Sequence, residues 1–208
     1  MFSLLLRGFL LGLAVAASPG PIFFLCVRRT LTQGRLTGFF SGLGVATADG
    51  FYAAIATFGI AALTTAFVAG RRPLAVIGGV ILVLLGARIL LERKRAVAAA
   101  PAPAVTGRGL VWAYVSTLGL TITNPATIIS FAALAATLGL GTGGSFVRPL
   151  LVVIGVLLGS AAWWCILVIG ASLLRSRLTP QVVGWISTVS GLAIAVLGIL
   201  AVISAFSG

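Results

Sequence analysis

Apolar residues fall in six long blocks along this chain, separated mainly by arginines, glycines and prolines. Bounding each block by charge, Gly or Pro predicts helices at 3–27, 36–62, 73–91, 110–137, 149–173 and 182–206. Each is long enough to cross a bilayer, which takes roughly 20 apolar residues. The gaps are short, which leaves no room for a soluble domain. The pattern predicts an all-α, polytopic membrane protein of six transmembrane helices in one domain, 1–208. Met1 to Ser18 superficially resembles a secretory signal peptide, with Ala14-Val15-Ala16 in the place of a cleavage site. No positive charge precedes the run, however, Arg7 interrupts it, and Ile22 to Val27 resume the apolar block after Pro19 and Pro21. A retained first helix is therefore expected.

Composition sharpens this reading. Hydrophobic residues make up 60% of the chain and charged residues 8%, whereas soluble domains carry about 25% charged residues. A net charge of +12 in a soluble protein would point to nucleic acid. Here the arginines sit almost entirely between apolar blocks or at their ends, where they act as topology signals, so no nucleic-acid partner is expected. The first, third and fifth connections hold Arg28, Arg29, Arg35, Arg93, Lys94, Arg95, Arg108, Arg175 and Arg177. The second and fourth hold Arg71, Arg72 and Arg148. Positive residues favour the cytoplasm, so both termini are expected to face outward, away from the cytoplasm, with Arg7 the one charge against. Cys26 and Cys165 form no close-spaced zinc pattern or disulfide framework, and histidine is absent. They read as apolar filler, and neither metal nor cofactor is expected.

The segment 93–109 is a basic run followed by an Ala/Pro-rich linker, and it divides the chain into a first half, 1–92, and a second, 110–208. The halves look alike. Gly79 and Gly86 in the third helix have the same spacing as Gly191 and Gly198 in the sixth, and prolines break the first and fourth helices at Pro19-Gly20-Pro21 and Asn124-Pro125. Three helices per half oblige the second half to enter the membrane in the opposite sense. That is an inverted-topology repeat, an arrangement many secondary transporters use.

The two carboxylates differ in setting. Glu92 lies at the basic end of the third helix, where a solvated interfacial charge is expected. Asp49 falls at the centre of the second helix. An Asp there costs about 2.5–3.5 kcal/mol on insertion scales, so an intramembrane acid marks function by default; the structural alternative is an acid that merely joins helices. A carboxyl in a partly dry site can exchange a proton or pair with a substrate ammonium, and competition between the two is a minimal antiport device. Gly42 and Gly44 remove bulk near this acid, either for helix packing or for solute access. Tyr52, one turn on, shares its face and is placed to donate to it. Pro19-Gly20-Pro21 cannot stay regular helix, because prolines remove donors and crowd the preceding turn. Irregular backbone at that depth must be buried in protein or line a watery cavity. Tyr114, Thr117, Thr121 and Asn124 share one face of the fourth helix, with Thr123, Thr127 and Ser130 beside it. Such a stripe is interhelical glue or cavity lining, with Asn124 favoured as lining because it adjoins the break at Pro125.

Pro19-Gly20-Pro21, Gly42-x-Gly44, Ala48-Asp49 with Tyr52, the basic third connection and Asn124-Pro125, in that order, resemble the lysine exporter / homoserine-threonine exporter family of bacterial translocators over essentially the whole chain. The resemblance implies export of amino acids or related small metabolites, driven by the proton gradient, with Asp49 and the broken helices at the transport site. Many relatives carry a lysine directly after the Asn-Pro pair, where this chain has Ala126, so a cation at that place is not available to hold a substrate carboxylate. Other readings were a heavy-metal or other cation exporter, poorly served by one Met and no His, a membrane thiol-electron carrier using Cys26 and Cys165, and a non-transporting scaffold. Small-residue faces permit a homodimer without requiring one.

Overall fold

The structure, a computed structural model, describes residues 1–58, 69–97, 106–138, 146–175 and 178–206, and among these the regular elements are all helices. They are α1 Phe2–Ala16, α2 Pro21–Gln33, α3 Arg35–Thr57, α4 Arg71–Val97, α5 Gly107–Ile122, α6 Pro125–Leu138, α7 Val147–Arg175 and α8 Pro180–Phe206. Within α3, α4, α7 and α8 lie stretches long and apolar enough to cross a membrane unaided. The other helices form two bent pairs, α1 with α2 at 81° and α5 with α6 at 62°, and counting each pair as one span gives six. The bends fall at the expected prolines. Pro21 takes the first position of α2, where its missing N–H is no loss, behind an extended Gly20. At the second break the Asn124 side chain caps α6, its Oδ1 accepting from the Ala126 amide at 3.1 Å.

The first predicted block does not end at 27. α2 continues to Gln33, and α3 starts after a single residue, Gly34, whose φ of 98° belongs to the region that glycine tolerates. Arg28 and Arg29, expected in a connection, are therefore helical, and both are buried. Charge at the edge of an apolar block reads as a loop because a lone guanidinium in hydrocarbon is costly; here Arg29 finds acceptors inside the protein. It donates to Ser41 Oγ at 3.0 Å, to the Ala113 carbonyl at 3.1 Å and to Ser116 Oγ at 2.9 Å. α4 likewise runs on to Val97, so the start of the predicted 93–109 linker is helical backbone. Residues 98–105, the end of the predicted 36–62 helix and Arg177 lie outside the described residues.

Burial is inverted relative to hydropathy. α3 has the lowest mean hydropathy of the four unaided spans, 1.2, yet 67% of it is buried, while the corresponding stretch of α8 has 2.5 and is 28% buried. α3 is enclosed by α2, α5, α6 and α7, while α4 pairs with α8 and α1 with α7. Leu84, Ile169, Trp185 and Leu200 stay exposed on the outer helices, the apolar outward surface that a lipid solvent requires. Glycines set the close crossings. A Cβ on Gly79 would stand 2.7 Å from the Gly198 carbonyl oxygen, one on Gly198 equally close to that of Gly79, and one on Gly86 2.7 Å from that of Gly191. Among the described residues, α3 is thus a polar helix held inside an apolar shell.

Candidate functional site

The two breaks meet. A cavity of about 120 Å³ is lined by Ser18, Pro19, Gly20, Pro21, Ile22 and Phe23 from the first break, by Thr121, Asn124, Ala126, Thr127 and Ser130 from the second, and by Asp49, Val45 and Trp164. Ser18, Pro19, Ala126 and Ser130 are exposed at its mouth, whereas Asp49, Thr121 and Trp164 are buried. Among the described residues, the carboxylate that reaches the cavity is the one at mid-helix, Asp49. Ser160 on α7, itself fully buried, donates its hydroxyl to Asp49 Oδ2 at 2.7 Å. The carboxyl thus has one oxygen held by the protein.

The polar stripe on the fourth block divides between its two readings. Tyr114 donates to Thr47 Oγ1 at 3.0 Å and Thr117 to the Ser41 carbonyl at 2.7 Å, so both join α5 to α3. Thr121 and Asn124, further along the same face, line the cavity. Gly42 and Gly44 do not line it. The first lies against the Trp164 side chain, and the second against the Tyr114 carbonyl, Thr117 Oγ1 and the Leu118 amide, leaving no room for a methyl at either position. Tyr52, expected to donate to Asp49, donates instead to the Ile122 carbonyl at 2.5 Å, an acceptor that the end of α5 sets free. The Thr121 carbonyl is likewise taken by the Asn124 amide at 3.1 Å. These two carbonyls, set free where α5 ends, are thus satisfied within the protein.

Sequence reasoning passed over Ser160, Trp164 and Phe23. A serine in an apolar helix carries no charge signal. The signal that exists is spacing, since Gly155 precedes Ser160 by the same interval as Gly44 precedes Asp49. Cys26, the expected filler, is fully buried in an apolar cluster with Ala16, Ile22, Val45 and Trp164. The side chains of Glu92 and Pro125 lie outside the described residues.

Apolar outer faces, spans of membrane length and a buried acid in an inner cavity define a multi-pass helical membrane protein. The chain belongs to the LysE type translocator family, whose sequence model matches residues 13–205. It is also similar to the uncharacterized membrane protein YahN of Escherichia coli (strain K12), with 44% identity over 48 residues. That similarity spans 23% of this chain and 22% of the relative. No solved structure matches the chain.

Proposed function

We propose that this chain is a secondary transporter that exports amino acids or related small metabolites across the bacterial inner membrane by proton antiport through Asp49. The observation that carries the proposal is the meeting of two broken helices at one cavity containing the buried Asp49. A carboxyl is costly at such depth, and its position beside irregular backbone is where transporters bind solutes. The ammonium of a solute and a proton compete for Asp49. The solute carboxylate is received by the start of α2, where Ile22 and Phe23 line the cavity and no side chain caps the helix. α6 is less available for this role, because Asn124 already caps it. None of the described cavity-lining residues is basic, and Ala126 is among them, so in this reading carboxylate recognition falls to backbone amides.

The architecture proposed with this function is a pair of inverted three-helix repeats, α1 to α4 and α5 to α8. Contacts across the halves support it. Gly44 rests on Tyr114, Thr117 and Leu118 of α5, and Gly155 rests on Leu5, Gly8 and Phe9 of α1 in the same first, fourth and fifth pattern. Exchanging Gly79 with Gly191 and Gly86 with Gly198 turns the contact of Gly79 with Gly198 into that of Gly86 with Gly191, and both are present. Both termini face the periplasm in this reading. Without Arg28 and Arg29 the positive residues still favour that orientation, seven against three.

The test is efflux from liposomes containing the purified protein and loaded with the proteinogenic amino acids. An acidic exterior should accelerate efflux of at least one of them, and a protonophore should abolish the acceleration. Asp49→Asn should insert normally and lose gradient-driven efflux. Wild-type protein that moves none of the amino acids defeats the exporter reading, and normal gradient-driven efflux by Asp49→Asn removes Asp49 from the mechanism.

A further inference from the structure

Ser160 and Asp49 occupy equivalent places in the two halves, each five residues beyond a glycine seated on the other half's broken helix. They also touch, through the 2.7 Å hydrogen bond from the Ser160 hydroxyl to Asp49 Oδ2. Two residues exchanged by a two-fold axis can meet only at the axis. We propose that Ser160 is the positioning residue of the coupling site: it pins one carboxyl oxygen of Asp49 on the axis relating the two halves and leaves the other oxygen to proton or solute. The inference rests on the exporter reading and on the repeat proposed with it.

The arrangement has a mechanical reason. Alternating access rocks one half against the other around a fixed site, and a point on the axis moves least. An acid that must meet the solute from both sides is best held there. A hydroxyl suits the task, since it donates to a carboxylate and still donates to a protonated carboxyl through the carbonyl oxygen. A second acid at position 160 would instead set two like charges within contact distance.

The charged and titratable groups of the surrounding helices do not duplicate this role. α2 carries Arg28, Arg29 and Cys26, of which Arg29 is bound to Ser41, about 12 Å along α3 from Asp49. α5 carries Arg108 and Tyr114, the latter bound to Thr47. α7 carries Arg148, Cys165 and Arg175, the last at its far end, α3 itself Arg35 and Tyr52, and α6 has no charged or titratable residue.

Infrared spectroscopy of the purified full chain in lipid tests the proposal with protons alone as the probe. The carboxyl C=O stretch that disappears in Asp49→Asn identifies Asp49. In Ser160→Ala that band should shift to higher frequency as the oxygen loses its donor, and Ser160→Thr, which keeps the hydroxyl, should restore it. Gradient-driven efflux from liposomes loaded with the proteinogenic amino acids should fall about tenfold in Ser160→Ala, the equivalent of one lost hydrogen bond to a charged group, and recover in Ser160→Thr. An Asp49 band unmoved in Ser160→Ala, with efflux at the wild-type level, overturns the inference even when Asp49→Asn is inactive. Conversely, Asp49→Asn that keeps normal gradient-driven efflux removes Asp49 from the mechanism, and the coupling site with it, whatever the band does.

Discussion

Arg29 shows how a single residue can be misplaced by a sound rule. A guanidinium at the end of an apolar block belongs at the membrane surface unless the fold supplies acceptors, and those acceptors come from Ser41, Ala113 and Ser116, up to 87 positions along the chain. No local pattern announces them. Arg29→Ala should lower stability by about 1.5–3 kcal/mol, the range for hydrogen bonds to a charged group, read as a fall in the thermal unfolding midpoint in detergent. Arg29→Lys should recover only part of the loss, because one ammonium cannot reproduce the planar fork that reaches α3 and α5 together. Ser160 is the opposite case. Its spacing from Gly155 was legible, but a serine carries no sign of its role until its partner across the fold is known. Asp49, by contrast, stood out because charge is rare in such a helix.

At the scale of elements the apolar blocks were nearly sufficient, since each corresponds to a helix or a bent pair. Proline chemistry located both breaks. It could not give their angles, 81° and 62°, which depend on what the half-helices pack against. Nor could it tell which polar residues on one face join helices and which line a cavity, the division made between Thr117 and Thr121. The glycine pairs on α4 and α8 were visible as spacing, and the structure gives that spacing its purpose in backbone contact. Gly79→Ala should force these helices apart and destabilise the protein by roughly 1–3 kcal/mol, as overpacking does. Gly119→Ala on α5, where a Cβ meets nothing within 4 Å, is the matched control and should leave the unfolding midpoint unchanged or slightly raised.

At the scale of the whole molecule, the placement of α3 governs how the protein is made as well as how it works. The least apolar of the unaided spans emerges from the ribosome early, carrying an acid toward a bilayer that disfavours it by about 2.5–3.5 kcal/mol. Three of the helices that enclose it, α5, α6 and α7, are synthesised afterwards, and Ser160 comes with the last of them. Membrane integration of α3 is thus a debt carried by a nascent chain until its second half arrives. A chain ended before α7 should leave α3 incompletely inserted, seen as protease access to the segment around Asp49. Asp49→Leu in the same shortened chain should restore protection. Full protection of the shortened chain with Asp49 intact would show that α3 settles without its later neighbours.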